Sequence, residues 1–182
     1  MKRSRVVYEK LRDALPRHQQ LALALGYYTG MRLEEVLSLQ WSQVDFEHLE
    51  IRLKQGRMAV GSTNDRGGRV IPIYAEMETQ LKAAAAERDP NIPWVITYRG
   101  NRITRMRDGW DPACEKVGVP QLLFHDLRRS AAMNLDRAGV PLKVAMEIIG
   151  HKTDAMWKRY RIVESRDIVD ARHRMNAYFA KV

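Results

Sequence analysis

The amino-acid sequence predicts a mainly α-helical domain with a small antiparallel β-sheet near its front, an α+β fold. Three observations lead there. Apolar residues recur at helical spacing through most of the chain, glycines and prolines punctuate those runs, and the period drops to two only briefly. With 182 residues the chain suffices for one sizeable core, and no low-complexity linker divides it, so residues 1–182 are expected to form a single domain.

Each element has its own signal. After a basic start, HQQLALALGYYTG carries a nearly continuous apolar helix that stops around Gly30, where glycine accepts a left-handed cap. A second helix follows at once in MRLEEVLSLQW, with Leu33, Val36, Leu37 and Leu39 near helical spacing. VDFEHLEIRL then alternates apolar and polar residues, and RVIPI repeats the signal beyond the glycine-rich GSTNDRGG, which predicts a small antiparallel sheet with a flexible hairpin. The helix YAEMETQLKAAAAERD, closed by Pro90 and Pro93, leads into a short strand pair in WVITYRGNRI. From Arg105 onward only helices are expected, in MRDGWDPACEKVG, DLRRSAAMNLDRAG, LKVAMEIIG, DAMWKRY and SRDIVDARHRMNAYFAKV, with glycines as stops and prolines as starts.

Composition narrows the function. The chain is 45% hydrophobic and 29% charged, as a globular protein is, and has no apolar run long enough to span a bilayer. The start, MKRSRVVYEKLRDALPRHQQ, lacks an apolar signal core, and the lone Cys114 permits no internal disulfide. A cytoplasmic protein is therefore expected, with Cys114 as a small buried residue. A net charge of +9 and a pI near 9.9 favour a polyanionic partner, either nucleic acid or an anionic membrane surface.

Cutting a DNA strand through a tyrosine sets definite requirements. A phenol with a free pKa of about 10 is a poor nucleophile at neutral pH, and the scissile phosphate must accept charge on its non-bridging oxygens. Arginine answers the second need with a planar fork that stays charged, and histidine can donate a hydrogen bond or move a proton near neutral pH. The sequence offers such a set in order. TGMRLEEVLSL places Arg32 at the start of a helix, FHDLRRS places His125 and Arg128 on one helical face, and IIGHKTDAMWKRY supplies His151 and Tyr160.

Together these stretches resemble the catalytic domain of tyrosine recombinases (phage integrases), whose marks are an arginine in a TGxRxxE-like helix, an HxxR pair, a GH dipeptide, and a tyrosine about nine residues beyond it. The matches run from Thr29 to Tyr160. The resemblance implies a tyrosine recombinase catalytic-domain fold in which Tyr160 attacks a DNA phosphate to give a 3′-phosphotyrosine bond. It makes Arg32 and Arg128 the clamp on the non-bridging oxygens, with His125 and His151 supporting proton transfer and the phosphate. Glu35 matches the family's acidic partner and would orient Arg32 through an ion pair. No metal and no cofactor are implied. The expected partners are double-stranded DNA and further copies of the chain, as a tetramer on two sites, in a bacterial or phage-encoded protein associated with the nucleoid and with no membrane role.

Two family features are unmatched. Members carry a hairpin lysine as general acid; counting back from Arg69 and Pro72 puts Asn64 at that place, or Thr63 if the glycine pair is an insertion. A shifted lysine such as Lys54, an introduced substitution and a naturally impaired enzyme all remain open. Loss of a general acid typically costs about 10² to 10⁴ in rate while leaving DNA binding intact. Members also carry a helical core-binding domain ahead of the catalytic one, and the chain is expected to lack it.

Other readings coexist with this one. Tyr160 alone would be a core aromatic at a helix end, Trp157 a packing residue, Arg32 a solvated partner of Glu35 or Glu34, and Arg129 part of a solvated basic face. The YRGNRITRMR and KRYR clusters favour phosphate contacts, and the apolar stripe of IVDARHRMNAYF predicts a core helix, although the resemblance implies docking on a neighbouring protomer. DLRRSAAMNLDRAGVPLKVAMEIIGH could be the helix-turn-helix of a non-catalytic DNA-binding regulator, a reading that leaves Arg32, His125 and Tyr160 unexplained. Type IB topoisomerases use related chemistry on one duplex.

Overall fold

The chain opens on an element that the basic start did not announce. In the computed structural model, which describes residues 2–53, 68–151 and 165–180, a helix α1 covers Lys2–Ala14. Its charges hide a spacing of Tyr8, Leu11 and Leu15 that puts all three side chains in the core. Helix α2 (Arg17–Thr29) follows, and Ala22 to Tyr27 are buried without interruption. A helix apolar all round belongs at the centre of a domain, and α2 is the element around which the others pack. It ends at Gly30, whose φ of 68° is the left-handed cap expected there.

Helix α3 (Leu33–Leu37) is shorter than its spacing predicts. Leu39 and Trp41 are buried, but from backbone that has left the helix: the Trp41 amide donates to the Pro93 carbonyl and the Val95 amide to the Leu39 carbonyl, each at 2.9 Å. This pairing with a distant segment outcompetes the last helical turn. A single 3-10 turn, Trp41–Gln43, then leads into the sheet.

Strands β1 (Val44–Asp45), β2 (Glu50–Leu53) and β3 (Arg69–Pro72) form an antiparallel sheet in that order. Ile51 stands opposite both Val44 and Ile71, and Leu53 opposite Arg69. Ile51, Leu53 and Ile71 alternate onto the core face, and Pro72 lies on an edge strand, where its missing N–H does no harm. Lys54, Thr63 and Asn64 lie between β2 and β3, outside the described residues. Helix α4 (Ala75–Glu87) and the hairpin β4 (Thr97–Tyr98) with β5 (Asn101–Arg102) complete the front of the chain.

The rest is helical wherever it is described: α5 (Arg107–Val117), α6 (Phe124–Arg137), α7 (Leu142–Ile149) and α8 (Ser165–Phe179). Cys114 is fully buried on α5, and burial, with Asp111 nearby, pushes its thiol up to about 11, so it is an inert core residue. The expected helix in DAMWKRY, with Trp157, lies outside the described residues. The stripe on α8 departs from expectation. Ile168, Val169, Met175, Tyr178 and Phe179 are exposed, so α8 is not a core helix of this chain. Its Arg174 does reach the turn between α6 and α7, where a Cβ on Gly139 would lie 2.5 Å from Nη1.

Close packing of α2 on α6 positions everything that follows, and Gly26 makes it possible. A Cβ at Gly26 would lie 2.6 Å from Phe124 Cζ and 2.9 Å from Leu127 Cδ1. Alanine's better helix propensity, worth about 1 kcal/mol, is set against overpacking of roughly 1–3 kcal/mol. Both neighbours are buried and have little room to move, so Gly26→Ala is expected to lower the urea midpoint of unfolding. A raised midpoint would show that α2 and α6 are not in contact at this point.

Candidate active site

The turn between α2 and α3 presents Arg32. Thr29 prepares it: its hydroxyl donates to the Leu25 carbonyl and accepts from the Met31 amide at 3.1 Å, while Gly30 reverses the chain in the left-handed conformation. Arg32 then stands exposed at the head of α3. Its own amide donates to Glu35 Oε2 at 2.8 Å, and its Nη1 donates to Oε1 at 3.2 Å, so the ion pair expected of Glu35 is present.

Helix α6 supplies the second pair. His125 and Arg128 are nearly one turn apart, but their environments differ: His125 is exposed, whereas Arg128 is only 2% exposed. Burying a guanidinium is tolerable only when its donors find acceptors. Arg128 Nη1 donates to the Gly30 carbonyl at 2.6 Å and Nη2 to the Gly150 carbonyl at 3.2 Å. Both acceptors belong to left-handed glycines that end helices, α2 and α7. Arg129 is exposed, as its reading as a solvated residue predicts.

The end of α7 places His151. The amides of Gly150 and His151 both return to the Met146 carbonyl, at 2.8 and 2.9 Å, and this closure tucks the imidazole into the interior. His151 is buried, and that burial, followed by the charges of Arg128, Arg32, His125 and Arg69, pushes its pKa down to about 4. It is therefore a neutral imidazole at pH 7, able to accept a proton or donate a hydrogen bond. Those charges act on His151 because Arg128, Arg32, His125 and Arg69 all lie near it. Tyr160 lies outside the described residues.

One residue of this group was not read from the sequence as functional. Arg69, the first residue of β3, grips Glu35 with Nη1 to Oε1 at 2.8 Å and Nη2 to Oε2 at 2.7 Å. Burial alone would raise the Glu35 pKa; the hydrogen bonds from Arg69 and the Arg32 amide, with both charges, outweigh it and hold the carboxyl below the ordinary range. A side-chain fork reaching across 34 positions leaves no periodic trace in a sequence.

Because Arg32 and Arg69 share one carboxylate, this trio carries net positive charge beside a neutral histidine, an arrangement suited to an anion with several oxygens. The basic stretch around β5 is used partly for packing: Arg102 donates to the Leu37 carbonyl at 2.8 Å and lies 4.5 Å from the Trp94 ring centroid. Among the described residues no group of His, Cys, Asp and Glu could hold a metal ion, and no helix is long and apolar enough to cross a membrane.

Comparison with known proteins converges on one group. A sequence profile of the phage integrase family matches residues 5–166. The chain is 29% identical over 176 residues to the tyrosine recombinase XerC-like protein of Caldanaerobacter subterraneus subsp. tengcongensis, with 79% of this chain and 45% of that protein covered. It thus spans less than half of that relative. Its fold is similar to that of the Tn1549 transposon integrase in complex with transposon right end DNA (TM-score 0.74, 18% identity, 97% of this chain and 64% of that one). XerA recombinase gives a TM-score of 0.72 at 17% identity, covering 94% and 62%. These likenesses establish the tyrosine recombinase catalytic-domain fold.

The buried histidine gives the site a pH signature. A folded-state pKa below the ordinary 6.5 means that the unfolded chain takes up a proton first. Stability from this group is fully present above pH 6.5 and is lost as pH falls toward about 4, a loss on the order of 3 kcal/mol at about 1.4 kcal/mol per unit. Compared by urea unfolding across that range, the natural chain should lose stability more steeply than His151→Gln. Parallel curves would mean that His151 titrates alike folded and unfolded.

Proposed function

The chain belongs to the phage integrase family, and on that premise we propose that it cleaves and rejoins DNA strands in site-specific recombination through a 3′-phosphotyrosine intermediate. Its substrate is double-stranded DNA, consistent with the net charge of +9, and residues 1–182 serve as the catalytic domain. The observation that carries this reading is the convergence of Arg32, His125 and Arg128 around the buried, neutral His151.

Arg32 and Arg128 hold the non-bridging oxygens of the scissile phosphate and offset the charge that gathers on them. His125 donates to the same phosphate, and His151, neutral at working pH, receives or relays the phenolic proton. The Tyr160 oxygen attacks phosphorus, the bond to the 5′-oxygen breaks, and that oxygen leaves with a proton. A 5′-hydroxyl from another strand reverses the step and rejoins DNA. Two rounds of exchange join two duplexes, carried out by a tetramer on two sites.

Asn64, or Thr63, occupies the position of the family's lysine, and neither delivers a proton as an ammonium does. Departure of the 5′-oxygen is then the slow step, and Lys54 is the other candidate donor. A non-catalytic regulator reading α7 as a recognition helix fits less well. Leu142, Lys143, Val144 and Glu147 form the exposed side of α7, with one cation offset by one anion, a poor surface for a phosphate-lined groove.

Covalent capture tests the proposal. The protein is incubated with labelled supercoiled DNA, denatured, and scored for protein-bound label. Tyr160→Phe should retain DNA affinity and give no adduct, and Asn64→Lys should raise adduct formation by about 10²-fold or more if that position is the general acid's. An adduct that persists in Tyr160→Phe contradicts the nucleophile. An Asn64→Lys protein no faster than the natural chain moves the acid elsewhere.

A further inference from the structure

Arg69 enters the family pattern only as a landmark for counting back to the hairpin, yet it is anchored more firmly than Arg32. Its side chain is 13% exposed, against 48% for that of Arg32. Its nitrogens bind in three directions: Nη1 and Nη2 grip both oxygens of Glu35, and Nε donates to the Ile148 carbonyl at 3.1 Å. The Ile148 carbonyl is one of those that the end of α7 leaves without a helical partner, and a cation is favoured there by the helix dipole as well. The stem of Arg69 covers Gly150: a Cβ on that glycine would stand 2.9 Å from Nη1 and 3.2 Å from Cδ. Arg69 thus touches the residue just before His151 from one direction, while Arg128 takes the Gly150 carbonyl.

Glu35 is consequently shared unequally. Arg69 takes both carboxylate oxygens at short distance, whereas Arg32 places a single guanidinium nitrogen on it at 3.2 Å. Arg69 holds Glu35, and Glu35 holds Arg32 by its backbone amide and one guanidinium nitrogen. We propose that Arg69 is a positioning residue for strand cleavage, setting the separation of Arg32 and His151 by tying Glu35 at the head of α3 to the carboxyl end of α7. A lysine keeps the charge but lacks the planar fork, so it cannot serve the two oxygens and the carbonyl together.

This inference rests on the proposed strand cleavage, so its test has one arm that needs no activity. In the first arm, Arg69→Lys, Glu35→Gln and the double variant are compared in single-turnover adduct formation at saturating DNA. Each single change should slow the step on the order of 10- to 100-fold, as misplacement of a catalytic group does, with DNA affinity unchanged. The double variant should be no slower than the slower single, since both break one linkage. If Arg69→Lys fails to fold, Glu35→Gln carries the comparison. In the second arm, NMR follows the Arg32 Nε–H and the His151 ring in the DNA-free protein, and both signals should shift in Arg69→Lys. Losses that multiply in the double variant, a slowed step matched by an equal loss of DNA affinity, or unmoved Arg32 and His151 signals would each overturn the role. Should the natural chain form no adduct, the cleavage reading fails, and the NMR arm alone decides whether Arg69 positions the two residues.

Discussion

A buried guanidinium holds this molecule's functional end together. Arg128 leaves water almost completely and is compensated by the carbonyls of Gly30 and Gly150. Those carbonyls are offered inward because each glycine closes a helix in the left-handed conformation, which costs an ordinary residue about 1–2 kcal/mol. Each glycine is followed within two residues by a proposed functional side chain, Arg32 in one case and His151 in the other. One arginine on α6 therefore fixes the ends of α2 and α7, and with them two of the groups proposed to face the phosphate. Leaving those carbonyls or that charge unpaired would be expensive in so dry a place, so the arrangement is close to all or none.

The same arrangement prepares the electrostatics. Burial and three nearby arginines keep His151 neutral, and in the proposed reaction an anion would meet cations that are already in place. Glu35 moderates their mutual repulsion without cancelling it, because one carboxylate serves two guanidiniums. Fixed positive charge, a neutral histidine and a site built from three helix ends and a strand suit the proposed task of stabilising charge on a phosphate.

Much of this was legible in the sequence. Helix stops at Gly30 and Gly150, the alternation of Glu50 to Leu53 and Arg69 to Ile73, and the helical spacing on α6 gave the elements in order, because glycine caps and apolar periods act locally. The family motifs named the residues now gathered around His151, and the profile match supports the family they pointed to. What escaped was non-local. Helix α1 was masked by its charges, α3 was cut short by pairing with residues 93–95, and the apolar stripe of α8 meets no core of its own chain. Arg69 shows this most clearly, since nothing near it in sequence marks Glu35 and Ile148 as its partners.

The proposed chemistry turns on one oxygen among seven tyrosines. Tyr8 and Tyr27 are stacked in the core, burial raises the pKa of Tyr28 and Tyr74, and Tyr98 and Tyr178 are exposed on β4 and α8. The most direct measurement is therefore to digest a covalent protein–DNA adduct with nuclease and protease and locate the remaining nucleotide by mass spectrometry. The account predicts a nucleotidyl group on the peptide that carries Tyr160. The same mass on a peptide carrying Tyr98, Tyr178 or a non-tyrosine residue would contradict it.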